Sequence, residues 1–338
     1  MRVLLALGGN AMTNADGRAR PEDQIAAART AMAAVADLIA EGLEVVLTHG
    51  NGPQVGNLLV KNELAASVVP PVPLDWCGAQ TQATLGFVLM NALDAELAAR
   101  GIDRRTATVV TRALVDSDDP GFGHPTKPIG RFLPRAEAEV LIEHGETWED
   151  RGEKGWRRVV ASPEPIEILD APAVRALVDA GFVVIANGGG GIPVVRDPDG
   201  TVRGVEAVID KDLGAALLGV ALGVDALVVA TDVPNVAVGF GTPGVRPLGR
   251  VRADELRDLA AQGEFAAGSM GPKVEALLRF VRNGGGRAAI CALDEIVAAV
   301  HGDAGTFVAA DSPAGTRPDS PAGTRPGTRP GPPTVIDF

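Results

Sequence analysis

The sequence contains no tyrosine, and aromatic residues of all kinds make up only 4% of its 338 residues. The core must therefore be built mainly from aliphatic side chains. No apolar run reaches the length of about 18 residues that a membrane-spanning helix needs. The apolar start at Met1–Leu7 is too short for a signal sequence and runs directly into two glycines. We therefore expect a cytoplasmic protein with no membrane partner.

Residues that bind metals or carry redox chemistry are also scarce. The two cysteines, Cys77 and Cys291, are far apart in apolar stretches, so we interpret them as core residues and predict no metal site. The sequence lacks a Ser-His-Asp order and the phosphate-binding loop G-x-x-x-x-G-K-[ST]. A net charge of -12 argues against nucleic acid as a main partner, because a phosphate backbone attracts a basic surface.

Lysine is rare, with only five lysines among the 31 basic residues. Lys61 and Lys154 are typical of surface positions. Lys127, Lys211 and Lys273 instead lie in segments marked by glycine and proline. A lysine ammonium is a compact, mobile charge, unlike the planar guanidinium of arginine. Three such groups from separate segments are suited to converge on one anionic ligand.

Short aliphatic strands alternate with helices along most of the chain. We predict strands at Val3–Leu7, Val45–Leu47, Thr106–Val110, Phe182–Ala186, Ala226–Ala230 and Ala288–Ala292. The clearest helices are predicted at Asp75–Ala99, Pro172–Ala180, Lys211–Leu222, Ala253–Ala261 and Pro272–Arg282. This alternation predicts an α/β fold with a mainly parallel sheet covered by helices on both faces.

Two segments depart from this pattern. Residues 116–165 are rich in proline, glycine and charge and contain a predicted hairpin, so we interpret them as an inserted subdomain. Residues 311–338 contain the repeat DSPAGTRP twice and bury too little apolar surface to order themselves. We expect this tail to be a disordered spacer.

Glycine-rich turns follow several predicted strands, at the edge of the sheet where ligands of such folds bind. They are Gly8-Gly9-Asn10, Gly50-Asn51-Gly52 and the run Asn187–Gly191. A turn at a helix start favours a bound anion, and four successive glycines cost backbone entropy that packing alone does not require. Gly8 and Gly9 equally suit an ordinary turn, and His49 suits a structural role better than that of a proton donor.

The segment Asp210-Lys211-Asp212 opens a predicted helix and has two interpretations. It is either an exposed cap with local ion pairs or a lysine held by carboxylates against a phosphate. Several glycine turns, three lysines and few candidate bases together fit phosphoryl transfer, which needs positioning and charge neutralisation more than covalent chemistry.

Several segments resemble the carbamate kinases of the amino acid kinase superfamily, over roughly residues 1–309. In chain order they are LLALGGNAM, LTHGNGPQVGNLL, PTKPIG, NGGGGIPV, EAVIDKDL, VVATDV and GSMGPKVEA. The resemblance implies a homodimer that exchanges a phosphoryl group between carbamoyl phosphate and ADP, giving ATP and carbamate. It further implies magnesium bound with the nucleotide, and a place in arginine or carbamoyl phosphate catabolism.

The resemblance also implies an architecture, a three-layer open α/β/α sandwich with a small protruding lid subdomain. An amino acid kinase domain would span residues 1–310. Its N-lobe, at about 1–170, would carry the lid at about 116–165. A nucleotide-binding C-lobe would follow at about 171–310.

Carried over by position, the resemblance implies three groups of site residues. The phosphoryl group in transit would meet Lys127, Lys211 and Lys273, with Asp210 orienting them. The carbamate or carbamoyl phosphate would be held by Gly8, Gly9, Asn10, Gly50, Asn51 and Gly52, to which the four-glycine turn adds Gly189 and Gly190. The nucleotide would lie against Lys211, Asp232, Met270, Gly271 and Lys273.

One departure concerns the adenine end, where the family continues after Asp232-Val233 with a glycine and a tyrosine. This chain has Pro234–Ala237 instead, which affects adenine packing and leaves the phosphate chemistry intact. Two other functions stay open. One is a related phosphotransferase that acts on an acylamino acid, aspartate or a nucleoside monophosphate. The other is a non-catalytic relative that only binds nucleotide.

Overall fold

A computed structural model describes residues 1–9, 20–266 and 270–309. The tail predicted at 311–338 and the predicted ligand residue Asn10 lie outside these ranges. The strands are β1 (Arg2–Leu7), β2 (Glu44–His49), β3 (Thr106–Thr108), β4 (Arg112–Val115), β5 (Lys127–Leu133), β6 (Trp148–Asp150), β7 (Trp156–Val160), β8 (Pro165–Ile168), β9 (Val183–Ile185), β10 (Ile192–Arg196), β11 (Val202–Gly204), β12 (Ala226–Thr231), β13 (Ala237–Val238), β14 (Arg246–Pro247), β15 (Arg250–Arg252), β16 (Arg287–Ala292) and β17 (Thr306–Ala309). The α-helices are α1 (Pro21–Ala40), α2 (Gly52–Ala65), α3 (Leu74–Ala99), α4 (Arg135–Glu143), α5 (Ala171–Asp179), α6 (Lys211–Leu222), α7 (Ala253–Ala261), α8 (Met270–Arg282) and α9 (Ile296–His301).

The central sheet has eight strands in the order β15-β17-β16-β12-β1-β2-β9-β3. Neighbouring strands from β16 to β3 are all parallel, whereas β17 runs antiparallel to β16. Strand β1 lies near the middle, and its residues 3–7 are completely buried. A continuous aliphatic strand of this kind is typical of a parallel sheet that is covered on both faces.

Side chains of β1 alternate between two hydrophobic cores, one on each face of the sheet. Leu4 and Ala6 belong to the core that also contains residues of α5, α6, α7 and α8. Val3, Leu5 and Leu7 belong to the core that contains residues of α1, α3 and α9. This division follows from the two-residue period of a strand. The architecture is therefore a three-layer α/β/α sandwich, which confirms the predicted fold class.

Two smaller sheets accompany the sandwich. The order β11-β10-β4-β8 forms a four-stranded sheet whose inner side chains join the core beneath α6. The order β5-β7-β6 forms an antiparallel sheet with a small core of its own at Leu133, Ala138 and Trp148. The subdomain predicted at 116–165 contains this sheet, while its bounds and the division into two lobes stay predictions.

Most predicted elements are present within a few residues of their predicted bounds, and α6 and α7 match in full. The prediction missed β4, β5, β8, β13, β14, β15, β17 and α4. Most of these are short elements of two to four residues, and β5 and α4 lie in the segment rich in proline and charge, where the hydrophobic period is weak. Within the described ranges, no helix has the combination of length and apolar character that would let it cross a bilayer.

The sheet brings four strand ends to the same edge. Gly8, Gly50 and Asp232 directly follow β1, β2 and β12, respectively. Asn187 lies two positions after the end of β9. Because parallel strands share one carboxyl edge, these turns converge there. Helix α6 also begins at this edge, with Lys211 as its first residue.

Candidate active site

A cleft of about 500 Å³ opens at this carboxyl edge. Its walls come from the turns after β1, β2 and β12, the first turn of α6, α8 and strand β5. All four residues of the predicted catalytic group line the cleft. So do Asp232 and six of the predicted substrate residues, which are Gly8, Gly9, Gly50, Asn51, Gly52 and Gly189.

The turns after β1 and β2 touch backbone to backbone. The N–H of Gly8 donates to the carbonyl of Ala230 at 2.9 Å, and the N–H of Gly50 donates to the carbonyl of Leu7 at 2.9 Å. A Cβ atom on Gly50 would lie 2.7 Å from the backbone of Gly9. Side chains are therefore excluded here, and the wall of the cleft is main chain.

The turn Asn187–Gly191 also contributes to the cleft wall, through Gly189. Gly189 has a φ of 67°, and a Cβ atom there would overlap the side chain of Asn51. Gly190, also predicted as a substrate residue, lies behind Gly189. A Cβ atom on it would meet Ile209 at 2.9 Å. Gly189 thus faces the cleft and Gly190 packs behind it.

The three predicted lysines converge through two carboxylates. Lys127 Nζ donates to Asp210 Oδ2 at 2.8 Å. Lys211 pairs with Asp212, and Lys273 Nζ donates to the other oxygen of Asp212 at 2.8 Å. Ammonium groups from β5, α6 and α8 are thereby gathered in one cleft.

Asp210 has a second role as the N-cap of α6. Its Oδ1 accepts from the N–H of Asp212 at 2.9 Å and from that of Leu213 at 3.3 Å. The segment caps the helix and forms ion pairs, but its two carboxylates are buried and not exposed, and the contact with a phosphate stays a prediction. Asp210 caps the helix and binds Lys127, whereas Asp212 holds the other two lysines.

Burial and charge oppose each other at Asp212, which is 3% exposed. Burial alone would raise the pKa of its carboxyl, but the ammonium groups of Lys211 and Lys273 outweigh this and lower the pKa to about 2. Burial lowers the pKa of Lys211, with Lys273 adding to the effect and Asp212 opposing it. The carboxylate of Asp212 is therefore charged at neutral pH. An added negative charge near Lys211 would favour its charged form and so oppose the effect of burial.

His49 is 1% exposed at the end of β2. Burial lowers the pKa of its imidazole to about 4, although a hydrogen bond between Nδ1 and the carbonyl of Gly50 opposes the shift. The ring is therefore neutral at physiological pH. This agrees with the predicted structural role.

The predicted nucleotide residues divide into two sets. Asp232 is exposed beside the cleft, where its carboxylate accepts from the hydroxyl of Thr231 at 3.0 Å. Lys211 and Lys273 line the cleft. Met270 and Gly271 form the first turn of α8 ahead of Lys273, and Met270 packs against the core instead of lining the cleft.

Sequence reasoning missed several residues that build the site. Asp212 lay within a recognised segment, but its bond to Lys273 spans 61 residues. Among the buried polar residues behind the glycine turns, Gln82 and Thr111 gave no signal, whereas Thr48 and Asn187 lay within quoted segments without being assigned a role. Thr48, Gln82, Thr111 and Asn187 are at most 3% exposed, and each hydrogen-bonds in or beside the Asn187–Gly191 turn.

Residues 1–292 match the sequence profile of the amino acid kinase family. Carbamate kinase from Thermococcus kodakarensis is 44% identical over 91% of this chain and 98% of its own. The carbamate kinase-like protein YqeA of Escherichia coli is also 44% identical, over 91% and 98%. A solved structure of carbamate kinase from Giardia lamblia bound to AMP-PNP superposes with a TM-score of 0.87 at 39% identity, covering 92% of this chain and 98% of that one.

The neutral His49 predicts a specific pH dependence of stability. Between about pH 4 and 6.5 the unfolded imidazole binds a proton that the folded one does not, so the free energy of unfolding should rise with pH across this window. The contribution is on the order of 3 kcal/mol. Urea unfolding at several pH values should show that His49→Gln flattens this rise, whereas the exposed-site variant His144→Gln retains it. Parallel curves for all three proteins would contradict the assignment.

The shared carboxylate predicts a large stability effect. Asp212→Asn leaves two ammonium groups together without their common partner, and breaking such a buried pair typically costs about 3–5 kcal/mol. We expect the free energy of urea unfolding at pH 7 to fall by about 3 kcal/mol. The control Asp232→Asn removes an exposed carboxylate and should change it by less than about 0.5 kcal/mol. Equal effects would show that the Asp212 bridge does not stabilise the fold.

Proposed function

This chain belongs to the amino acid kinase family, in its carbamate kinase branch, and from this premise we propose that it transfers a phosphoryl group between carbamoyl phosphate and ADP. The products are ATP and carbamate. The observation that carries the proposal is the convergence of Lys127, Lys211 and Lys273 in a glycine-lined cleft. Sequence similarity alone supports the activity less strongly than the cleft does, because a relative named carbamate kinase and one named carbamate kinase-like are equally identical to this chain.

The reaction needs no protein nucleophile. An oxygen of the ADP β-phosphate forms a bond to the phosphorus of carbamoyl phosphate, while the bond from phosphorus to the carbamate oxygen breaks. Carbamate departs as an anion with the electron pair, so no proton must be moved. Charge on the phosphoryl oxygens is the main obstacle, and ammonium groups that are already in place lower it without reorganisation.

The two ends of the cleft suit the two substrates. The glycine backbone at Gly9, Gly52 and Gly189 suits the small planar carbamoyl group, because it can approach the ligand closely, while the N–H groups of Gly8 and Gly50 hold the turns together. Lys211 and Lys273, at the starts of α6 and α8, line the same cleft as Asp232, which we assign to the nucleotide. The transferred phosphoryl group would therefore pass along the lysines.

We also propose that the nucleotide binds with Mg²⁺, which would neutralise charge on its phosphate oxygens. Among the described residues, no group of three or more His, Cys, Asp and Glu side chains could form a protein cage for it. Asp210 and Asp212 are engaged by lysines, and Asp232 is the cleft carboxylate outside that network. This donor set fits an ion held mainly by phosphate oxygens and water.

The alternative substrates receive less support from the cleft. An amino acid or acylamino acid would need a cationic group for its α-carboxylate in addition to the three lysines that meet the phosphoryl group, and the cleft-lining residues within the described ranges include no further lysine and no arginine. A non-catalytic relative would not need the lysine–carboxylate network. We also propose that the protein acts in the cytoplasm, in the catabolism of arginine or carbamoyl phosphate, where the reaction would supply ATP.

We propose a homodimer that forms through the outer face of α3. From Trp76 to Leu93 this helix contains no charged residue. Trp76 and Phe87 are nevertheless 60% and 59% exposed. They are eleven residues apart, so three helical turns place them on the same face. Exposed aromatic side chains without surrounding charge are typical of a subunit interface.

The activity is tested by mixing the purified protein with ADP, Mg²⁺ and carbamoyl phosphate and following ATP in a coupled assay. We expect ATP formation, and Lys211→Ala should reduce kcat about a hundredfold or more because it removes a preorganised charge. Lys154→Ala removes an exposed turn lysine and should leave kcat within about twofold. Nucleotide binding without ATP formation would instead support the non-catalytic alternative, and equal use of acetyl phosphate would support a broader carboxylate kinase.

The dimer is tested by sedimentation velocity. The intact protein should sediment at twice the chain mass of 34.6 kDa. Phe87→Glu should shift it toward the monomer, because it places a charge in a desolvated contact. Phe240→Glu is the matched control. Phe240 is 79% exposed in the loop between β13 and β14, away from α3 in the sequence, so this change should leave the dimer intact. A monomeric intact protein, or a Phe87 variant that stays dimeric, would refute this interface.

A further inference from the structure

Gln82 is a polar residue of α3 that is 3% exposed and points toward the sheet. Its Nε2 donates to the carbonyl of Gly188 at 2.9 Å and to that of Thr111 at 3.1 Å. Its Oε1 accepts from the N–H of Thr111 at 2.8 Å. Burying an amide is costly unless it is hydrogen-bonded, and here both N–H groups and the oxygen are used. Helix α3 therefore holds the four-glycine turn at a defined atom, the carbonyl oxygen of Gly188.

Holding this carbonyl also fixes the direction of the next N–H group. The carbonyl of Gly188 and the N–H of Gly189 belong to one planar peptide group, and the described residues contain no cis peptide. In a trans peptide the two groups point in opposite directions. A carbonyl directed at Gln82 therefore directs the N–H of Gly189 to the other side of the turn. Gly189 is the residue of this turn that lines the cleft.

We propose that Gln82 is a positioning residue for the carbamoyl end of the cleft. By holding the carbonyl of Gly188, it aims the N–H of Gly189 at bound carbamoyl phosphate. The inference rests on the proposed function, because that function identifies the anion which the N–H meets.

Other buried hydrogen bonds support the same turn. Thr111, whose backbone Gln82 holds, accepts through its hydroxyl from the N–H of Asn187 at 2.6 Å. Thr48 donates to the carbonyl of Asn187 at 2.8 Å. The turn is thus fixed at Asn187 by two threonines and at Gly188 by Gln82 together with the N–H of Gly191, which donates to the same carbonyl at 3.2 Å.

The residue before Gln82 supports the opposite wall. Thr81 accepts from the side chain of Asn51 at 2.9 Å, and Asn51 lines the cleft beside Gly189. Two consecutive residues of α3 therefore position both sides of the carbamoyl end. The lysines that would meet the transferred phosphoryl group have other partners, so a change at Gln82 should affect the two substrates unequally.

The decisive variant is Gln82→Glu, which keeps the size of the side chain but replaces both N–H donors with carboxylate oxygens. At pH 8 we expect the KM for carbamoyl phosphate to rise about tenfold or more, which is the usual effect of losing a hydrogen bond to a charged group. The KM for ADP should change by less than about twofold. Gln262→Glu, at an exposed helix end, is the control and should leave both KM values unchanged.

The pH dependence of the same variant gives a second readout. Burial raises the pKa of an introduced carboxyl group, and its protonated form can again donate to the carbonyl of Gly188. The ratio of variant to wild-type KM for carbamoyl phosphate should therefore fall as the pH is lowered from 8 to 6. A purely structural defect would leave this ratio constant.

Several outcomes would overturn the inference. A folded Gln82→Glu protein with an unchanged KM for carbamoyl phosphate would do so, as would equal increases in both KM values. Where this variant does not fold, Gln82→Met provides the same test without a charge, and failure of both to fold would assign Gln82 a structural role only. A wild-type protein that forms no ATP contradicts the proposed function itself, whereas an active wild type with an unaffected variant contradicts only the role of Gln82.

Discussion

The bond between Asp212 on α6 and Lys273 on α8 sets the charge distribution of the cleft. It requires the two helices to pack closely along their length. Gly219 permits this, since a Cβ atom there would lie 3.1 Å from the ring of Phe280, which is completely buried. The packed helix bodies hold Lys273 Nζ 2.8 Å from Asp212. Without this arrangement, the ammonium groups of Lys211 and Lys273 would repel each other instead of sharing a carboxylate.

The charges of the site are balanced before any substrate arrives. Three lysines face two carboxylates, Asp210 and Asp212, so the remaining positive charge is small. Burial lowers the pKa of Lys211, and the negative charge of an incoming phosphate would oppose this shift by favouring the charged form. A phosphate-binding loop relies mainly on backbone amides next to a single lysine. Here the positive charge comes from three segments, and the glycine backbone forms a separate part of the cleft wall.

The parts of this structure that sequence predicts are those with a local signal. Aliphatic strands followed by glycine predicted the parallel sheet and the cleft at the carboxyl ends of its strands. Asp210 and Lys211 were recognised together because they are adjacent in one short segment. Strand β5 was missed because it begins Lys127-Pro128. Proline has no N–H to donate to a neighbouring strand, so its presence argues against a strand in the sequence. Gln82 was missed because one uncharged polar residue in a long helix resembles an exposed position. Its partners Thr111 and Gly188 are 29 and 106 residues away, so only tertiary structure identifies them.

Helix α3 unites features that separate sequence motifs would not connect. Its inner face carries Thr81 and Gln82, which bond to Asn51 and to the glycine turn at the cleft. Its outer face carries Trp76 and Phe87, and no charged residue lies between them along the helix. A helix interior is stiff because its backbone groups bond to one another, so displacement of one face moves the other. A subunit that covers the outer face would therefore restrain the glycine turn across the thickness of a single helix. The proposed dimer would therefore have a physical reason to matter for substrate binding even though the lysines lie on other elements.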